Sequence, residues 1–116
     1  YATGYLPEDL SRDEVLYRIG DMGGSEVALT REVACSRLQL QQDRVGDIVV
    51  VSKQNKVLGT SADRDDLSQL KEPLRSHGGI SEQNVPLMSN KVTDLPDDAA
   101  LRNFDAFFVG LNHTKI

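Results

Sequence analysis

Two histidines, one cysteine and a run of acidic side chains are the groups in this sequence whose types suit chemistry. The first histidine stands in Pro73-Leu74-Arg75-Ser76-His77-Gly78-Gly79-Ile80-Ser81-Glu82-Gln83-Asn84-Val85-Pro86-Leu87. An imidazole ahead of two glycines suits metal binding for a mechanical reason. Gly78 and Gly79 let the backbone turn sharply and approach an ion or phosphate without Cβ crowding. One ring nitrogen can then bind the metal while an acceptor behind the ring orients the other. Zinc takes three or four protein ligands, and no cysteine or second histidine lies at a ligand spacing from His77. Local spacing leaves two readings open. His77 is either one ligand of a site completed by residues elsewhere, or a turn histidine hydrogen-bonded to neighbouring backbone. Arg75 and Ser76 are candidates to support the ligand from behind, as are the two glycines. Pairing of Arg75 with an acid such as Glu72 is an equal alternative.

The other reactive types offer less. His113 lies near the C-terminus, in a tail expected to be mobile. Cys35, in Glu32-Val33-Ala34-Cys35-Ser36-Arg37-Leu38, reads as a small buried hydrophobe on a helix. A nucleophilic cysteine would need an activating histidine, and the sequence places none beside it. Asp63-Arg64-Asp65-Asp66 reads as a hydrated loop or one turn of helix rather than as a ligand cluster. Asn112-His113-Thr114 matches a glycosylation sequon, a pattern too short to carry weight.

The elements that must position His77 follow from pattern. Residues 1–6 read as a short strand ending at Pro7. Ser11 and Glu14 have the spacing of a capping box. Val15, Leu16, Ile19 and Met22 then recur with helical period, and Gly23-Gly24 is expected to stop the helix in the left-handed region. Ser25–Leu29 alternates as a half-buried strand, and Thr30 caps a second, shorter helix carrying Val33, Ala34 and Leu38. After the turn Asp43-Arg44-Val45-Gly46, the β-branched run Ile48-Val49-Val50-Val51 predicts a strand buried on both faces. Gln54-Asn55 reads as a reversal into a return strand Lys56-Val57-Leu58-Gly59, making a hairpin. A long polar connection leads to His77, and loops of that length tend to be functional. Val85-Pro86-Leu87-Met88 reads as a short strand. Asp97–Phe104 reads as a helical turn running into the short apolar element Asp105–Leu111. The order β-α-β-α-β-β-loop-β implies an α/β layer, with α+β the alternative: a small sheet with two helices packed on it. The whole, 1–116, reads as a single domain. Within it, 1–60 is the sheet unit, 61–90 the candidate site loop with its following strand, and 91–116 a C-terminal segment.

Composition narrows the classes. At 116 residues the chain supports one modest core. A net charge of −5 disfavours nonspecific binding to nucleic acid or anionic membranes. With aromatics at 5% and no tryptophan, stacking platforms for bases or sugars are not expected. No apolar run approaches a membrane span. The chain opens at Tyr1 without an initiator methionine or a signal-peptide pattern, so it is expected to start mid-protein. A single cysteine excludes an intrachain disulfide and fits a reducing, cytoplasmic setting.

Beyond local pattern, nearly the whole chain resembles the C-terminal part of the phosphonoacetate hydrolases, two-zinc members of the alkaline phosphatase superfamily. The matching stretches run in order as Tyr5-Leu6-Pro7-Glu8, Ala28–Cys35, Asp43–Val51, Lys56–Ser61 and Asp66-Leu67-Ser68. The most specific string follows: Glu72-Pro73-Leu74-Arg75-Ser76-His77-Gly78-Gly79, Ser81-Glu82-Gln83 and Val85-Pro86-Leu87. The resemblance implies a fragment of a doubly wound domain, with His77 the last zinc ligand in chain order. It implies hydrolysis of the carbon–phosphorus bond of phosphonoacetate to acetate and phosphate, supported by two zinc ions. The family's active-site threonine, its remaining Asp and His ligands and its carboxylate-binding basic residues belong to segments that would precede Tyr1. By this resemblance the chain holds no catalytic nucleophile. Its partner is the N-terminal catalytic part of the same protein and its substrate a small phosphonate, and the fragment alone is expected to be inactive. A non-catalytic reading competes, in which the chain is an autonomous interaction domain or a homodimer. Self-association through Ile48–Val51 would need that strand at an open edge.

Overall fold

The structure is a computed structural model that describes residues 1–61, 63–72 and 77–115. It contains two compact units, Tyr1–Gln83 and Asn84–Ile116.

The first unit is built on β1 (Ala2–Gly4), α1 (Arg12–Asp21), β2 (Ser25–Thr30), α2 (Arg31–Leu38) and β3 (Ile48–Ser52). The sheet order is β1-β3-β2, and both pairings are antiparallel. The β-branched run takes the central place it predicts. Val49 and Val51 are buried on one face of β3, Ile48 and Val50 on the other. Leu29 of β2 pairs with Val49 and joins Ala34 of α2 in the core, with Val27, Leu38 and Val45 packed around them. The α/β layer with two helices on a small sheet is therefore the one expected. Strand β3 is flanked on both sides, so it offers no open edge for self-association. Its ladder groups are already paired with Ala2–Gly4 and Ser25–Thr30.

Both helix starts follow the capping signals. The Ser11 hydroxyl accepts from Glu14 N at 3.4 Å, and the Thr30 hydroxyl accepts from Val33 N at 3.3 Å. The end of α1 differs from expectation. Its C-cap is Met22 in an extended conformation, and neither Gly23 nor Gly24 is left-handed. The buried Ser25 hydroxyl instead donates to Ile19 O at 2.6 Å and to Met22 O at 3.1 Å. A side chain thus satisfies the carbonyls that a glycine cap would have tied back. On α2, Cys35 is a free, half-buried thiol.

The expected hairpin does not close. Lys53–Lys56 makes the reversal, with Lys56 N donating to Lys53 O at 3.0 Å, but Lys56–Gly59 forms no strand. The position it would take beside β3 is filled by β1 and β2. Val85–Met88 likewise forms no strand. In the second unit α3 (Asp105–Asn112) is the one helix among the described residues, and Thr93 pairs with Thr114 in an isolated bridge. Among the described residues, no helix is long and apolar enough to cross a membrane.

Candidate functional site

At the start of β3 a polar knot fixes the sheet. The Asp47 carboxylate accepts from Leu6 N at 2.9 Å and from Arg31 Nη2 at 2.7 Å. Arg31 Nε donates to Gly46 O at 3.1 Å, and Arg31 N to Asp47 O at 3.0 Å. Gly46 N donates to Thr3 Oγ1 at 2.6 Å. A Cβ on Gly46 would collide with the Gly4 carbonyl oxygen. One aspartate thereby joins the exit of β1 and the β2–α2 junction to the entry of β3. Leu6, Arg31, Gly46 and Asp47 fall in three of the stretches that carry the family resemblance, and their role here is architectural.

The opposite end of the sheet carries the candidate site. Because β1 runs antiparallel to β3, with Ala2 opposite Val50, Tyr1 is brought to the carboxyl end of β3. There Tyr1, Ser52, Val57, Leu58 and His77 line a cleft of about 120 Å³. The imidazole is exposed at its rim. Gly78 has φ +88°, a conformation that side-chain-bearing residues rarely adopt, and a Cβ there would lie 2.9 Å from Tyr1 Cδ1. The first glycine of the pair is therefore required by both backbone and space. The turn Ile80–Glu82 follows, and Glu82 Oε2 accepts from Gly79 N at 3.4 Å, holding the hinge from its far side. Arg75 and Ser76 lie outside the described residues, so their proposed support of His77 has no structural description.

Asp65 and Asp66 are used as loop staples. Asp65 Oδ2 accepts from Thr60 N at 2.9 Å and Ser61 N at 3.4 Å, and a Cβ on Gly59 would lie 2.5 Å from that oxygen. Asp66 Oδ1 accepts from Ser68 N at 2.9 Å; this bond, then one from the Ser68 side chain, holds its carboxyl below the usual value. Among the described residues, no three His, Cys, Asp or Glu side chains gather where an ion could sit. The donor set near His77 fits one corner of a zinc site, not a whole one.

Sequence reasoning missed the second histidine. His113 is the C-cap of α3, and its Nδ1 lies 2.9 Å from Asp94 Oδ1. The flanking backbone is paired as well, Asp94 N donating to His113 O at 3.1 Å and Lys115 N to Val92 O at 3.0 Å. The expected mobile tail is thus tied down. The partners are 19 residues apart in sequence, and no local spacing signals such a pair.

No family model matches the chain. Solved structures do. The chain aligns with crystal structures of phosphonoacetate hydrolase from Sinorhizobium meliloti 1021 in complex with phosphonoformate and in complex with phosphonoacetate. Identity is 53% in both, over 91% of this chain, with TM-scores of 0.72 and 0.71. Over nearly its whole length the chain is similar to one part of phosphonoacetate hydrolase. It spans 26% of the length of those relatives, as a C-terminal portion of a phosphonoacetate hydrolase would. Its three-stranded sheet and helices match a fragment of the phosphonoacetate hydrolase fold.

Proposed function

We propose that this chain is the C-terminal part of a zinc-dependent phosphonoacetate hydrolase of the alkaline phosphatase superfamily, and that His77 supplies one zinc ligand. The observation that carries the reading is the 53% identity to a phosphonoacetate hydrolase solved with phosphonoacetate bound. The placement of His77 supports it: an exposed imidazole on a glycine hinge, at the carboxyl end of the central strand.

The reaction adds water across the carbon–phosphorus bond of phosphonoacetate. A P–O bond forms, the C–P bond breaks, and the carbon takes a proton to give acetate and phosphate. Bound zinc would supply Lewis-acid stabilisation of the phosphonate oxygens and of the attacking oxygen. This chain's own contribution is narrower. His77 presents a ring nitrogen, while Gly78 and the Glu82–Gly79 contact fix the direction from which it approaches. Tyr1, Val57 and Leu58 give the cleft apolar walls. The nucleophile and the other ligands come from the N-terminal part of the same enzyme, so these 116 residues alone hydrolyse nothing. The same reading puts the enzyme in the cytoplasm, which fractionation of the source cells checks.

The test is made on the full gene product. Purified protein should contain zinc by mass spectrometry and release phosphate from phosphonoacetate. His77→Ala should lose both, with secondary structure unchanged by circular dichroism. A His77→Ala enzyme with full zinc content and turnover would remove His77 from the site.

A further inference from the structure

We infer that one side of α3, formed by Phe104, Phe107, Phe108 and Leu111, is the surface on which the second unit docks against polypeptide lying outside these 116 residues. The four positions are spaced i, i+3, i+4, i+7 and form a single stripe along the helix. Val109, on the other side, is 3% exposed. The stripe is left 54%, 81%, 58% and 85% exposed in chain order. A helix that has already buried its inward residue and still turns three phenylalanines and a leucine outward is organised for a second contact. It carries no charge along the stripe. At its ends, Arg102 stacks on the Phe104 ring at 5.5 Å and Phe108 leans on the His113 ring at 5.3 Å. Two of the three aromatic rings, Phe104 and Phe108, thus have a neighbour before any partner arrives.

The size of the stripe decides between occupants. With aromatic side chains burying roughly 150–250 Å² each, it offers about 500 Å². A dimer of two such stripes falls short of the roughly 800 Å² per partner that a stable interface needs. Contact within one polypeptide has no such threshold, because covalent connection has already removed the translational freedom that association must overcome. The relatives that match at 53% identity are about three and a half times as long as this chain. The structure therefore points to an apolar strip of the preceding polypeptide as the cover. The inference rests on reading the chain as part of a longer enzyme, and not on the role of His77.

The test uses the full gene product with Phe107 replaced by the photo-crosslinker benzoylphenylalanine, and cross-linked peptides mapped by mass spectrometry. Cross-links should fall on apolar peptides preceding Tyr1, at the same yield at every protein concentration. A 1:1 mixture of light and heavy-isotope protein separates contacts within one chain from contacts between copies. Cross-links to a second copy, to residues 1–83, or only within 84–116 would each overturn the inference. Should the Phe107 variant fail to fold, Leu111→Cys replaces it. Its thiol should react with maleimide at least about tenfold more slowly than that of Met88→Cys, as protected positions do, and equal rates would overturn the inference. Zinc content measured on the same samples keeps the two proposals separate: docking without zinc leaves the stripe standing and removes His77.

Discussion

Removing the Asp47 carboxylate should unfasten the sheet that carries the cleft. In Asp47→Ala two hydrogen bonds vanish, one from Leu6 N at 2.9 Å and one from the Arg31 guanidinium at 2.7 Å. Bonds to a charged partner contribute roughly 1.5–3 kcal/mol each. The Arg31 and Asp47 side chains are each about one third exposed, at 31% and 34%, so water replaces part of what is lost. The expected cost is about 3 kcal/mol, a large share of the 5–15 kcal/mol that typically holds a domain. Asp47→Asn keeps an acceptor for Leu6 N and loses only the charge on the arginine side, for which about 1 kcal/mol is expected. Urea unfolding followed by circular dichroism gives both values, with the slope checked for constancy. The double variant with Arg31→Met completes a cycle that should show coupling of about 1–2 kcal/mol. If the alanine costs less than about 1 kcal/mol, or the asparagine costs as much as the alanine, the knot is not what fastens β1 and α2 to β3.

Other perturbations reach the hinge, the helix end and the second unit. Gly78→Ala places a side chain at φ +88° against Tyr1; it should cost about 1–2 kcal/mol in backbone strain and lower zinc content by tilting His77. Ser25→Ala strips the hydroxyl from Ile19 O and Met22 O, and a loss of about 1–2 kcal/mol in urea unfolding is expected. The carboxyl of Asp94 is held below its ordinary 3.8, first by its hydrogen bond with His113. A lowered folded-state value stabilises the fold above the unfolded value and is lost as pH falls through the folded one. Carbon-detected NMR titration should therefore place the Asp94 midpoint below 3.8 and return it toward that value in His113→Ala.

Most of the first unit was legible because its signals are local. Ser11 and Thr30 announce the helix starts by capping amides three residues ahead, and Ile48–Val51 can only be a strand wet on neither face. The return strand Lys56–Gly59 was misread because a hairpin signal does not say whether the neighbouring place is free. Here β1, from the far end of the sequence, already occupies it. Gly23-Gly24 was assigned the end of α1 by type, whereas the buried Ser25 hydroxyl does that work through a contact no spacing rule anticipates. At the candidate site, the need for glycine at Gly78 was readable from residue type, and the structure supplies the cause in its φ and in Tyr1. The Asp94–His113 tie was invisible, since it depends on the chain folding back between them. The work of Asp65 and Asp66 as backbone acceptors was not foreseen, because it depends on how the loop closes on itself.

The central claim is that His77 is one ligand of a zinc centre completed by other parts of the enzyme. Zinc per polypeptide, measured by mass spectrometry on the full gene product with and without His77→Ala, tests it most directly. The account predicts two zinc ions in the unaltered protein and a clear loss in the variant, alongside loss of phosphate release from phosphonoacetate. Equal zinc in both proteins, or turnover by a metal-free enzyme, would contradict it.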